Sequence, residues 1–136
     1  MRALALLSAF ALGLATPAIA AVPVAGRWLP PSGDSVIEIA RCGTALCGRV
    51  LRVLKPIQGA AVDRNNPDPA LRTRPIVGLP ILTGFTDGGD VWRGKIYDPR
   101  NGRTYRSTLK RTAAGQLEVQ GCVAIFCQTQ RWTHAG

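Results

Sequence analysis

What most constrains this chain is an alternation of period two, running from Ser35 nearly to its end and broken only by turn residues. In SVIEIAR, Val36, Glu38 and Ala40 alternate with Ile37, Ile39 and Arg41. Successive side chains of a strand point to opposite faces, so such a run buries one face and wets the other. CGRVLRVL resumes the pattern after a short interval, and the two runs read as a hairpin. DVWRGKIYDPRNGRTYRSTLKR is the clearest hairpin. Asp98 can accept a backbone N–H two residues on, Pro99 presets φ, and Asn101-Gly102 tolerate positive φ. TAAGQ makes the next turn, QLEVQGC the next strand and CQTQRWTH the last, with GRWLP at the start. PIVGLPILTGF is apolar, but Gly78 and Pro80 come too early for a helix. Pro80 makes it an edge, a bulged strand or two short pieces.

About eight short strands joined by short connections result, and no stretch carries a 3.6-residue apolar period. The expected fold is all-β: a small antiparallel up-and-down β-barrel, which removes exposed edges by closing, with a two-sheet sandwich as the alternative. A barrel of this size either fills its interior with side chains or holds one small ligand. Trp92, Gly94 and Ile96 share one strand face, opposite Arg93, Lys95 and Tyr97. Gln128, Gln130 and Trp132 share another, opposite Thr129, Arg131 and Thr133. If the glutamine face looks inward, the interior is partly polar and suits an amphipathic or sugar-like ligand better than a bare fatty acid.

The four cysteines stand as CGTALC (Cys42, Cys47) and CVAIFC (Cys122, Cys127), each pair lying between two strand-like runs. Cysteines facing each other across a hairpin end lie within bonding range, so Cys42–Cys47 and Cys122–Cys127 are the favoured disulfides. The spacing argues against a zinc site and against a CxxC redox pair. An oxidising compartment is also what the N-terminus indicates. Arg2 precedes an apolar run, Ala3 to Leu14, and Ala18-Ile19-Ala20 fits a small-x-small cleavage pattern. That run is short of the ~20 residues a membrane span needs, and Pro17 interrupts its end. Residues 1–20 are therefore expected to be a secretory signal peptide, cleaved before Ala21, and residues 21–136 a single domain. Localisation is expected to be periplasmic or extracellular, with no transmembrane segment in the mature chain.

The full chain carries a formal charge of +9, and all its basic residues except Lys55, Lys95 and Lys110 are arginine. Arginine forks onto carboxylate and phosphate. In an exported protein that favours acidic envelope components, and argues against nucleic acid. Catalytic sets are not recognisable. His134 is the only histidine and lies near the C-terminus, and no glycine pattern surrounds a serine as a nucleophile elbow would. No phosphate-binding glycine loop precedes a helix. Carboxylate pairs drawn from Asp63, Asp68, Asp87, Asp90 and Asp98 would be needed for glycosidase-type chemistry, but most of these residues sit beside Gly, Pro or Asn, where they make turns. Asp63, Asn65, Asn66 and Asp68 offer oxygens for calcium without the usual spacing. No metal and no cofactor is expected.

DRNNPDPALRTRP, from Asp63 to Pro75, contains little that could fill a core. Asn66 before Pro67 predicts a capped helical turn over Pro67 to Arg72. Asp63, Arg72 and Arg74 are not needed for that turn. Either an arginine pairs with Asp63 and pins the loop over a barrel end, or Arg72 and Arg74 sit at the barrel mouth and meet an anionic group. Asp63, Asn66, Arg72, Arg74, Trp92, Tyr97 and Trp132 are the candidate binding residues.

GRWLPPSGDSVIEIARCGTALCGRV, DRNNPDPALRTRPIVGL, WRGKIYDPRNGRTY and the final TQRWT together resemble a secreted bacterial family, domain of unknown function 2147. The resemblance covers nearly all of the chain after the leader. It implies a lipocalin-like barrel and no established activity. Gly26-Arg27-Trp28 also looks like the glycine-x-tryptophan signature of lipocalins, in which the tryptophan closes one barrel end under an arginine from the last strand. Arg131 is the nearest candidate for that arginine, because His134 stands where the family more often has one. The function expected is non-enzymatic binding of a small or amphipathic envelope molecule, an anionic one included. The alternatives are an envelope interaction protein using a basic surface and, behind it, a carboxylate-dependent hydrolase.

Overall fold

The structure is a computed structural model that describes residues 11–17, 20–56 and 61–136. Most of the expected signal peptide, residues 1–10 and 18–19, therefore lies outside the described residues. Eight strands follow in order: β1 (Gly26–Leu29), β2 (Ser35–Cys42), β3 (Ala45–Val53), β4 (Pro80–Asp87), β5 (Trp92–Asp98), β6 (Arg103–Arg111), β7 (Leu117–Val123) and β8 (Phe126–His134). Each pairs antiparallel with its sequence neighbours, and β8 returns to β1 to close a barrel. The seam is short, holding only Trp28↔His134 and Leu29↔Thr133. Closure rules out the sandwich and leaves no open sheet edge.

The period-two alternation sets the inside. Trp28, Ile37, Ile39, Leu46, Val50 and Phe85 join Leu109, Leu117, Val119 and Trp132 in one buried cluster. Gly94 marks a close approach: a Cβ there would lie 2.7 Å from the Phe85 ring and from the Thr83 carbonyl oxygen. Pro80 opens β4, and the β4–β5 register shifts between Thr83 and Thr86, with Gly84 at φ 64°. Of the three readings of PIVGLPILTGF, the bulged strand is thus realised.

The β2–β3, β4–β5 and β6–β7 turns gather at one barrel end, the base. The β1–β2, β5–β6 and β7–β8 turns gather at the other, the mouth, with the long β3–β4 connection. Disulfides staple one hairpin at each end: Cys42–Cys47 at the base and Cys122–Cys127 at the mouth, with Cα separations of 5.8 and 4.1 Å.

The helical turn expected over Pro67 to Arg72 is shorter and capped differently. It is a single 3-10 turn, Pro69–Leu71, and Asp68 is its cap, accepting from the Ala70 amide at 3.0 Å. Asn66 instead accepts from the Asp68 amide at 2.9 Å, which forms the bend before the turn. Both prolines suit a first helical position, but the carboxylate of Asp68 captures the free amide nearer Pro69.

Candidate functional site

Above the packed base the barrel is hollow. A cavity of about 910 Å³ opens toward the mouth. Its wall mixes Ile37, Val50, Ile81, Ile96, Val119 and Trp132 with uncharged polar groups. Those include the Tyr105 hydroxyl and the amides of Gln128 and Gln130, with Ser32, Ser35 and Asn101 nearer the mouth. Gln128, Gln130 and Trp132 therefore form the inward face of β8, and Trp132 Nε1 donates to Gln130 Oε1 at 3.1 Å. The charged side chains in the lining are Asp34, Asp98 and Arg100, from the turns at the mouth, and Arg100 pairs with Asp34.

At the mouth end, against Tyr97 and the β5–β6 turn, lies the described part of the β3–β4 connection, residues 61–79, held through Asp63. That carboxylate is 0% exposed. Its Oδ2 accepts from Arg74 Nη2 at 3.1 Å, Arg74 Nε at 3.2 Å and Asn66 Nδ2 at 2.9 Å. Its Oδ1 accepts from the Tyr97 hydroxyl at 2.6 Å. A buried carboxylate is tolerated only when paired and fully hydrogen-bonded, and these four donors meet that requirement. Arg72 Nε donates to the Asn66 carbonyl oxygen at 2.8 Å, which adds a second brace.

A third brace reaches the β5–β6 turn. Asn65 Nδ2 donates to the carbonyls of Pro99 and Arg100 at 3.1 and 3.0 Å. Gly102, at φ 70°, lies so close beneath that a Cβ would fall on the Asn65 carbonyl oxygen. Tyr97 carries the electrostatic signature of this packing. Burial first, then the hydrogen bond and charge of Asp63, push its hydroxyl up to about 12.

The sequence candidates thus separate into three places. Asp63, Asn66, Arg74 and Tyr97 come together, with Arg72 beside them. Trp132 lines the cavity. Trp92 lies at the base, where its Nε1 donates to the Val22 carbonyl at 2.9 Å. Alternation explains the split: Trp92 and Ile96 face inward, whereas Tyr97 is on the opposite face and reaches the loop.

Barrel closure differs from the expectation in one residue. Trp28 is fully buried, and its Nε1 donates to the Val24 carbonyl at 2.9 Å. The cation over its ring is Arg111, 5.5 Å from the centroid, not Arg131. Arg131 points outward from β8 and faces Glu118 across the strand pair at 3.8 Å. Trp132 occupies the inward face, so the adjacent Arg131 cannot share it. His134 meets Trp28 edge-on instead, with ring centroids 5.3 Å apart.

The family described as "Uncharacterized protein conserved in bacteria (DUF2147)" matches residues 26–134. The chain belongs to the DUF2147 family. A similar solved structure is protein HP1028 from Helicobacter pylori, described as belonging to the lipocalin family. It superposes with a TM-score of 0.73 at 21% identity, over 85% of this chain and 84% of that one. At that identity the likeness establishes a lipocalin-like fold. A search of curated proteins gives no match.

Sequence reasoning missed Tyr105 as a wall residue and the Asn65–Gly102 contact. The DPRNG turn signalled a glycine with positive φ but not what packs on it. Gln128 and Gln130 did carry a signal, since they alternate in step with Trp132. Also at the mouth is the tip of the β7–β8 hairpin. Ile125 is 87% and Phe126 76% exposed there, and Arg106 donates to the Ala124 carbonyl. Among the described residues, no cluster of three or more His, Cys, Asp or Glu side chains is arranged for a metal ion.

Proposed function

We propose that this DUF2147 protein binds a small amphipathic molecule in its barrel cavity and does no chemistry on it. The observation that carries this is the wall: an open volume of about 910 Å³ in which apolar side chains alternate with uncharged polar ones. Such a volume lies within the roughly 300–1,000 Å³ typical of small-molecule sites. The apolar part would take a chain or ring. Tyr105, Gln128 and Gln130 would hydrogen-bond hydroxyl, amide or sugar groups. An anionic head is the poorer match. Arg100 pairs with Asp34, Arg74 with Asp63, and Arg72 with a backbone carbonyl. The N-terminal leader and the two disulfides support export, which makes the cell envelope the place of encounter.

Native mass spectrometry after mild purification, followed by panels of lipids and saccharides, tests the reading. A bound species is expected, and Gly121→Phe should abolish it while leaving the fold intact. A Cβ at Gly121 meets Ile96 at 3.7 Å and Tyr105 at 3.9 Å, so the ring would enter the cavity. No bound species under any condition would end the proposal.

A second reading, an envelope-interaction protein, is favoured by the exposed Ile125–Phe126 tip beside Arg106. An apolar tip next to a cation suits an anionic bilayer surface. Co-sedimentation with phosphatidylglycerol vesicles should weaken as salt rises, and should be lost in Phe126→Ser with Ile125→Ser. Binding unchanged in that double variant rejects this reading.

A further inference from the structure

We propose that Ala21 is the mature N-terminus and that its new α-ammonium is held by the Asp87 carboxylate, so that removal of the leader completes the base of the barrel. This rests on the leader reading and is independent of any ligand.

Burial changes abruptly at the expected cleavage point. Residues 11–17 and Ala20 are exposed, whereas Ala21 is only 7% exposed and Val24 is fully buried. Ala21 and Val24 are built into the base, while the side chains of Val22 and Pro23 between them are exposed. Trp92 Nε1 holds the Val22 carbonyl and Trp28 Nε1 the Val24 carbonyl, each at 2.9 Å. At the start of this segment the Ala21 nitrogen lies 3.0 Å from Asp87 Oδ1 and 3.2 Å from Oδ2.

That geometry is poorly used by an uncleaved chain. An amide has one N–H, shared here between two oxygens. Asp87 takes one further hydrogen bond, from the Gly89 amide at 2.8 Å. Among the described residues it makes no salt bridge; the neighbouring charges, Asp90 and Arg93, pair with each other at 3.2 Å. Hydrolysis of the Ala20–Ala21 bond changes this. Water adds its oxygen to the Ala20 carbonyl carbon, the C–N bond breaks, and the nitrogen leaves as an amine that is protonated at neutral pH. The resulting ammonium has three N–H donors and a full charge, which matches both carboxylate oxygens. Because Ala21 is buried in the fold, cleavage precedes its docking.

The test uses the full chain expressed with its own leader, as wild type and as Asp87→Asn, and purified after export. The intact mass of the product should correspond to a chain starting at Ala21. The α-amine should titrate about one unit above the usual 7.7–8.0 in wild type and return to that range in Asp87→Asn. A folded value raised above the unfolded one stabilises below about pH 8 and loses that effect as pH rises through the folded value. Asp87→Asn should therefore melt several degrees below wild type at pH 7, and the gap should close once the amine is neutral. A mature end elsewhere, an ordinary amine pKa, or a melting gap unchanged with pH would each overturn the proposal. The last outcome would assign Asp87 to its neutral hydrogen bonds alone.

Discussion

Asp63 is the residue on which the mouth depends most directly. Replacing it by asparagine keeps the shape but removes the charge that Arg74 and Tyr97 both address. Breaking a buried pair from one side costs about 3–5 kcal/mol. Arg74 is one-third exposed and can turn to water, so about 2–3 kcal/mol is expected for Asp63→Asn, read from urea unfolding. Tyr97 gives the same contact a pH signature. Its folded pKa of about 12 lies above the ordinary value of 10.0, so the folded state favours the protonated phenol. This stabilisation is complete below about pH 10 and is lost as pH rises toward 12. In absorbance titration a late tyrosinate step near pH 12 is expected, and Tyr97→Phe should remove it. Ser107 provides a contrast in the barrel wall. Its hydroxyl is buried without a partner among the described residues, opposite Gly94. An unsatisfied buried hydroxyl costs about 1–3 kcal/mol, so Ser107→Ala should match or exceed the wild-type melting temperature. A drop of several degrees would mean that the hydroxyl has a partner in solution.

Among the elements, the β5–β6 turn does more than reverse the chain. Gly102 combines a left-handed backbone with the Asn65 carbonyl resting on its α-carbon, whereas a Cβ at Gly115, at φ 81° in the β6–β7 turn, would meet nothing within 4 Å among the described residues. Gly115→Ala should cost only the backbone term, about 1–2 kcal/mol. Gly102→Ala should cost more than that and should also speed hydrogen exchange at Asp63 and Asn66, because the loop must lift. Equal costs at the two glycines would mean that the loop is not seated on the turn. These elements also mark what the sequence could reveal. Alternation and turn chemistry act between neighbours, so the strand series, both disulfides and the DPRNG turn were legible. The placement of the 3-10 turn depended on two carboxamide and carboxylate side chains competing for adjacent amides, which neighbour rules do not rank. Arg111 over Trp28 is a contact between β6 and β1, and no local pattern links them. The polar wall was half legible: the glutamine face of β8 was visible, but only closure of the barrel fixes which face is inside.

At the scale of the whole molecule, the barrel is closed by its weakest pairing. β1 has four residues and meets β8 at two register positions, extended by one bond from the Ala135 amide to the Arg27 carbonyl at 2.9 Å. Trp28 lies on this seam, edge-on to its β8 register partner His134, and is clamped from β6 by Arg111. A cation over an indole contributes about 0.5–2 kcal/mol, so Arg111→Ala acts on closure without removing any strand. Proteins open locally where contacts are few. The amides of Leu29, Thr133 and Ala135 should therefore exchange faster in Arg111→Ala, about fivefold for each 1 kcal/mol lost. Those of the β2–β3 and β5–β6 pairs should change little. The cavity wall draws on every strand from β2 to β8 but on no residue of β1. Ligand affinity in Arg111→Ala should accordingly stay near wild type while the seam loosens. Uniform acceleration across all strands would instead mean that the barrel opens only as one unit, and that the base clamp stabilises the mouth as well.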